Sequence, residues 1–275
     1  MVVKKKAHRI LGEPVPVPPK SKARKKHPNQ PTWVVIGIDH SLSGISLAGF
    51  GYDSTLKKLQ GPAFVTLRWT KDQDYFTRLR MAASTHELIM DVIAQLKMTP
   101  KIEDIFIAQE EPFPPHGKFT SKGVSQTLKQ SAEISGSVLG GLLKWGYREI
   151  FQIHNTSWRK IVADQISEAT GEDVTLYPQK WQSQKLATQY HCSLKNSGKF
   201  RSKQWALDVI GPWFGQMFTP GVVPELTDLI SHKDGKIPRP EKSKAQAVQP
   251  DDIYDALAMA EWMRQECARA GVIRR

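Results

Sequence analysis

The segment Trp33-Val-Val-Ile-Gly-Ile-Asp39 decides the fold, because it is the most apolar run in the chain and it ends on a carboxylate. A short, continuous run of this composition predicts a buried β-strand. The next run, Gly44-Ile-Ser-Leu-Ala-Gly-Phe-Gly-Tyr52, predicts a second strand, joined to the first by a short turn. The domain is therefore expected to open with a β-hairpin.

The elements that follow alternate in a way that is typical of an α/β domain. Asn155, Thr156 or Ser157 is expected to cap a helix that begins near Trp158. The order favours a mixed sheet flanked by helices. Further strands are predicted over 62–69, 102–109 and 149–154, and helices over 74–98, 121–145, 202–209 and 251–270.

The first 32 residues differ in character from the rest of the chain. They contain nine Lys or Arg residues, six prolines and one acid, Glu13, and so they cannot form a core. We expect residues 1–32 to be a disordered basic arm and 33–275 to be one folded domain. The arm is interpreted as a tether that binds DNA phosphates by releasing counterions; a solubilising tail is the alternative.

The whole chain of 275 residues carries a formal charge of +12, which favours an anionic polymer, and nucleic acid above all, as the partner. The two cysteines, Cys192 and Cys267, form no C-x-x-C pair, which disfavours a disulfide framework or a zinc ribbon. No apolar run is long enough to span a membrane, and the N-terminus lacks the apolar core of a secretory signal. A cytoplasmic location, in a bacterium or a phage-infected host cell, is expected.

Acidic residues stand at the ends of two predicted strands. Asp39 ends the first strand, where a buried carboxylate needs a partner; a turn cap is the alternative role. Glu110 and Glu111 follow the strand 105–109. Successive strand residues point to opposite faces, so at most one of these glutamates can join Asp39, and alternation alone does not say which.

A third acidic group, a pair of aspartates, stands at the start of the closing helix. Asp252 and Asp255 are three residues apart, so they share one helical face. Acids in a first turn are also ordinary partners of the helix dipole, which is the alternative interpretation. Converging carboxylates from distant segments are what a divalent metal needs for phosphodiester hydrolysis, because Mg²⁺ prefers hard oxygen ligands.

These motifs resemble the RuvC family of Holliday-junction resolvases, which have the RNase H-like fold. The family has a Gly-Ile-Asp strand with a small hydroxyl residue and Gly in the next turn, a Glu that ends the fourth strand, and an Asp-x-x-Asp-Ala-Leu helix. The matching segments here are Gly37-Ile-Asp39 with Ser43-Gly44, Ala108-Gln-Glu110-Glu-Pro-Phe113, and Asp252-Ile-Tyr-Asp255-Ala-Leu-Ala.

The resemblance implies that Asp39, Glu110, Asp252 and Asp255 bind two Mg²⁺ ions per active site, for which Mn²⁺ can substitute. It also implies that Lys160, in Trp158-Arg-Lys160, and Lys203, in Gly198-Lys-Phe-Arg-Ser-Lys203, contact the scissile phosphate. The candidate DNA-binding residues are Phe113, Lys118, Arg159, Lys199, Arg201 and Lys203.

The chain departs from the family pattern in its turn and in its length. His40-Ser41 stands where the family commonly has Pro-Gly, and insertions are expected around 166–197 and 211–250. His40 is adjacent to Asp39, but neighbouring strand residues face opposite sides, so a role as general base is disfavoured.

The helix over 121–145 contains a group of small residues that would allow another helix to approach closely. A dimer interface and intramolecular packing explain them about equally well. RuvC-like resolvases are two-fold dimers with the corresponding helix at the interface, so the resemblance favours a homodimer. The small residues are Ser135, Gly136, Ser137, Gly140 and Gly141.

The favoured function is a metal-dependent endodeoxyribonuclease that cleaves four-way junctions or other branched DNA, leaving 5′-phosphate and 3′-hydroxyl ends. A broader RNase H-like nuclease acting on flaps, forks or RNA–DNA hybrids is one alternative, and a catalytically silent junction-binding protein is another. An actin-like phosphotransferase would need a second Asp-x-Gly hairpin and a Gly-rich adenosine loop, and the sequence has neither. A phage role in clearing branched DNA and a role in cellular recombination both stay open.

Overall fold

The structure is a computed structural model that describes residues 31–69, 72–112, 122–175, 182, 185, 199–210 and 250–273. Most of the predicted arm and of the predicted insertions therefore lies outside the described residues, as do Phe113, Lys118 and Cys192. None of the helices within these ranges is both long and apolar enough to span a membrane.

Five strands form one mixed sheet in the order β3-β2-β1-β4-β5. β1 pairs antiparallel with β2, and β2 pairs antiparallel with β3, while β1, β4 and β5 run parallel. The α/β arrangement expected from the sequence, a mixed five-stranded sheet flanked by helices, is confirmed. The strands are β1 Trp33–Ser41, β2 Gly44–Asp53, β3 Lys58–Arg68, β4 Ile105–Glu110 and β5 Ile150–Ile153.

Helices cover both faces of the sheet. The helices are α1 Tyr75–Ala83, α2 Thr85–Leu96, α3 Lys122–Lys144, α4 Asn155–Thr170, α5 Lys199–Trp205, which continues as a π-helical turn over Ala206–Ile210, and α6 Pro250–Arg269.

Alternation along β1 sends its side chains into two separate cores. Val34, Ile36 and Ile38 pack with residues of α2 and α3, whereas Trp33 and Val35 pack with residues of α4, α5 and α6. Burial on both faces explains why β1 is a continuous apolar run. The two faces are called the α3 face and the α6 face below.

Two details of the helices differ from the sequence prediction. The helix predicted over 74–98 is divided at Ser84, where the Ser84 and Thr85 hydroxyls donate to carbonyl oxygens of the preceding turn. Such bonds compete with continuous helix. The prediction that Asn155, Thr156 or Ser157 caps the fourth helix is wrong: α4 begins at Asn155, and His154 Nδ1 accepts from the Thr156 N–H at 3.3 Å.

Candidate active site

The two acids at the strand ends lie side by side. β1 and β4 are parallel neighbours with Ile38 opposite Gln109, so Asp39 and Glu110 are the next residues at the same level. Asp39 is two residues beyond Gly37, which contacts α6, and Glu110 is two residues beyond Ala108, which belongs to the same core. Both carboxylates are therefore on the α6 face, and both are half-buried.

Glu111 follows Glu110 directly and therefore does not share the α6 face with it. Its side chain is exposed, and its main-chain N–H donates to the carbonyl oxygen of Ile153 at 2.8 Å. Strand alternation in the sequence left open which glutamate joins Asp39, and the family resemblance implied Glu110. The structure places Glu110 on the same face as Asp39 and Glu111 away from it.

Helix α6 crosses this face with its N-terminal turn at the same end of the sheet. Gly37 lets it approach β1 closely, because a Cβ on Gly37 would lie 1.8 Å from the Ala256 carbonyl oxygen. Asp252 and Asp255 are both buried, at 6% and 4% exposure. The strand ends and the closing helix thus bring four acids from three segments to one end of the α6 face.

Each of the two helix acids is held by a partner from a distant part of the chain. Nη2 of Arg68, at the end of β3, donates to Asp252 Oδ2 at 2.5 Å. The Ser202 hydroxyl, on α5, donates to Asp255 Oδ1 at 2.5 Å. These contacts place the end of β3 and helix α5 against the acidic end of α6.

Next to Asp39, the α6 face carries hydroxyl side chains on β2 and β3. Ser46 is paired with Asp39 across β1 and β2, and Thr66 is paired with Ser46 across β2 and β3. The two hydroxyl oxygens lie 3.3 Å apart. Polar side chains therefore replace the apolar core at this end of the sheet.

His40 follows Asp39 in β1, so its side chain lies on the opposite face of the strand, where it makes a structural contact. Its Nε2 lies 3.1 Å from the Glu110 carbonyl oxygen; since a carbonyl only accepts, Nε2 carries the proton. Burial lowers the pKa of His40 to about 4, against the smaller raising effect of this hydrogen bond. The neutral ring thus links the ends of β1 and β4.

The basic residues proposed from the resemblance lie on two helices beside the acids. α4 begins just after Ile153, which is paired with Glu110, and carries Arg159 and Lys160. Arg159 lies over the Trp158 ring, with Cζ 5.0 Å from the ring centroid, and Lys160 is exposed. Helix α5 carries the other three basic candidates, Lys199, Arg201 and Lys203. It also carries Ser202, the residue that contacts Asp255.

Arg68 and Ser202 are the site residues that sequence reasoning missed. Alternation along β3 offered a signal for Arg68, since it lies two residues beyond Thr66 on the α6 face. Ser202 lies inside the basic segment that was singled out for its lysines. The contacts that these two residues make with Asp252 and Asp255 were not predictable, because each contact joins residues far apart in sequence.

The donor set suits a hard divalent cation, since all four acids offer carboxylate oxygens and Asp252 already binds a cationic group. In the arrangement with Arg68 bound, no three His, Cys, Asp or Glu side chains of the described ranges lie close enough together to hold a metal ion. A metal at this site would therefore require the carboxylates to move closer together.

Comparisons with known proteins give a structural likeness only. No protein-family model matches the sequence, and no curated protein matches it. One similar solved structure is that of Thermus thermophilus RuvC with a Holliday junction substrate, at 12% identity and a TM-score of 0.40, covering 88% of this chain and 98% of that one. Another is a second Thermus thermophilus RuvC structure, at 12% identity and a TM-score of 0.39, covering 87% of this chain and 98% of that one.

Proposed function

We propose that the chain is a metal-dependent endonuclease that hydrolyses phosphodiester bonds in branched DNA, with a four-way junction as its preferred substrate. The observation that carries this proposal is the placement of Asp39, Glu110, Asp252 and Asp255 at one end of the α6 face. Burying acids at one location costs stability unless cations compensate them, so a purely structural role would be expensive.

The four carboxylates would hold two Mg²⁺ or Mn²⁺ ions. Metal ions bound there would supply the Lewis acidity that activates water and stabilises the leaving 3′ oxygen, giving 5′-phosphate and 3′-hydroxyl ends. Ser202 and the carbonyl-bound His40 would keep Asp255 and the β4 end in position.

DNA binding would come from the basic residues around the acids. Lys160 on α4 and Lys203 on α5 lie on helices that flank the acidic end, where they would contact the scissile phosphate. The basic arm 1–32 would add contacts to the DNA backbone at a distance from the chemistry. Phe113 and Lys118 stay proposed DNA contacts on the strength of the sequence resemblance.

A homodimer with paired active sites would suit a two-fold symmetric junction. Support comes from α3, where a Cβ added to Gly136 or Gly140 would meet no atom of the described residues within 4 Å, whereas Gly141 packs against the Ala83 carbonyl oxygen. Only part of the small-residue group is thus used for intramolecular packing. Sedimentation velocity with and without DNA tests this point, and a monomer in both conditions would remove the paired-site proposal.

Cleavage of a labelled substrate panel in Mg²⁺ tests the proposed activity. The panel contains a four-way junction, a flap, a fork, an RNA–DNA hybrid and a linear duplex. Preferred cleavage of the junction supports the proposal, and preferred cleavage of a flap, fork or hybrid would favour the broader RNase H-like nuclease. Junction binding without cleavage of any substrate would identify a catalytically silent binder.

A further inference from the structure

The ion pair between Arg68 and Asp252 joins residues 184 positions apart in the sequence. Nη2 of Arg68 lies 2.5 Å from Asp252 Oδ2, and each side chain is only 9% exposed. Water therefore screens this interaction little. The pair lies inside the proposed metal site, since Asp252 is one of its four acids.

Arg68 reaches Asp252 because of its position at the end of β3. It is paired with Gly44 across the sheet, at the turn that follows β1, and it shares the α6 face with Thr66. A Cβ on Gly44 would lie 2.9 Å from Cδ of Arg68, so glycine leaves room for the arginine. The fold thus directs a guanidinium at the carboxyl end of β1.

The guanidinium is only partly satisfied in this position. Nη2 binds Asp252, and Nη1 donates to the Ser43 hydroxyl at 3.1 Å. Nε is buried and has no hydrogen-bond partner among the residues that the structure describes. A buried donor without a partner lowers the stability of the bound position, so release of Arg68 is easier than the short contact alone suggests.

A divalent cation would compete with Arg68 for the same carboxylate. The guanidinium 2.5 Å from Asp252 Oδ2 occupies one carboxylate oxygen and offsets the negative charge that would attract a metal. The metal and the guanidinium also repel each other across a poorly hydrated site. Binding of metal at Asp252 therefore favours release of Arg68.

We propose that Arg68 is an internal counter-cation of the metal site, which compensates Asp252 in the metal-free protein and which metal must displace. The inference rests on the proposed function, because it assumes that Asp252 is a metal ligand. It assigns Arg68 a positioning role: the guanidinium keeps the acidic end of α6 against the sheet and lowers the affinity for metal.

Calorimetric titration of the full chain with Mn²⁺ tests the competition. Arg68→Gln removes the competing charge, so the Kd for Mn²⁺ should fall by about tenfold or more. Arg68→Lys keeps a cation and should stay within about threefold of the wild type. The matched control is Arg264→Gln, which removes a 2.7 Å ion pair with Glu261 on the same helix but away from the acids, and should leave the Kd unchanged.

An unchanged or weaker affinity of Arg68→Gln would overturn the proposal. Nitrogen-detected NMR of the wild-type arginine side chains gives a second test, in which the response to metal is measured on the wild-type protein itself. The Nε signal of Arg68, assigned by its loss in Arg68→Lys, should move at saturating Mg²⁺. A signal that stays at its metal-free position would equally overturn the proposal.

Asp252→Asn distinguishes failure of this inference from failure of the proposed function. If Asp252→Asn weakens Mn²⁺ binding while Arg68→Gln binds as the wild type does, Asp252 is a ligand and only the role of Arg68 is wrong. If Asp252→Asn leaves Mn²⁺ binding unchanged, Asp252 is not a ligand, and both this inference and the proposed site fail.

Discussion

The carbonyl oxygen of Ala256 lies where a side chain on Gly37 would begin, because a Cβ on Gly37 would be only 1.8 Å from it. This close approach of α6 to β1 sets the height at which Asp252 and Asp255 meet the strand ends. A backbone oxygen cannot move aside as a flexible side chain can. The proposed site therefore depends on a glycine that carries no functional group.

Gly37→Ala should destabilise the protein by about 3 kcal/mol or more, since it overpacks a helix–strand contact. Gly136 is the matched control: it lies in α3, and a Cβ added there would lie more than 4 Å from every neighbouring atom in the part of the chain that the structure describes. Gly136→Ala should stabilise the protein by about 1 kcal/mol, from helix propensity. Urea denaturation measures both, and equal stability of Gly37→Ala and wild type would contradict the close approach of α6 to β1.

The two neighbouring glutamates at the end of β4 should respond differently to the same substitution. Glu110→Gln removes a charge on the face of Asp39 and should lower junction cleavage by about 100-fold or more. Glu111→Gln changes an exposed side chain and should leave cleavage within about threefold of wild type. Single-turnover cleavage rates compare them, and the reverse order would mean that the assigned strand register is wrong by one residue.

His40 should make the metal-free protein less stable as the pH falls. Its pKa is lowered from 6.5 to about 4, so between these values the unfolded chain binds a proton that the folded protein does not. The stability linked to neutral His40 is complete above pH 6.5, and about 2 kcal/mol of it should be lost at pH 5. It is lost fully only below the folded pKa.

His40→Gln keeps an N–H donor near the Glu110 carbonyl and cannot titrate, so the loss between pH 7 and pH 5 should be smaller by about that amount. Urea denaturation at the two pH values gives the difference. Other histidines affect both proteins equally. An identical loss in the variant and the wild type would show that His40 is not the titrating group.

Deletion of residues 1–32 should weaken DNA binding and make the dependence of log affinity on log salt shallower. The segment has nine basic residues and one acid, so its removal eliminates contacts that release counterions. Cleavage at saturating enzyme should persist, because the four acids lie beyond the deleted segment. A salt slope equal to that of the full chain would exclude the arm from the binding surface.

The fold was largely predictable because its signals are local. The apolar run ending at Asp39, the second strand beginning at Gly44 and the periodic closing helix each carry their pattern in adjacent residues. Helix ends were less predictable: the histidine cap at His154 and the break at Ser84 depend on how the chain leaves a strand or bonds to its own backbone.

The candidate site was predictable in its acids but not in the groups that hold them. Asp39 and Asp255 were recognisable from their motifs. Strand alternation alone could not choose between Glu110 and Glu111; the resemblance implied Glu110, and the pairing of β4 with β1 places it beside Asp39. Arg68 and Ser202 act through contacts that join distant segments, and no local pattern encodes such a pairing.

Cleavage of a labelled four-way junction by wild type and Asp39→Asn, with and without Mg²⁺, tests the central claim most directly. Asp39→Asn keeps the size of the side chain but removes a charge that a divalent ion requires. We expect Mg²⁺-dependent cleavage by the wild type, a loss of about 100-fold or more in Asp39→Asn, and junction binding that is equal or tighter. Cleavage by Asp39→Asn at the wild-type rate, with the fold intact, would show that the nuclease site is not at the end of β1.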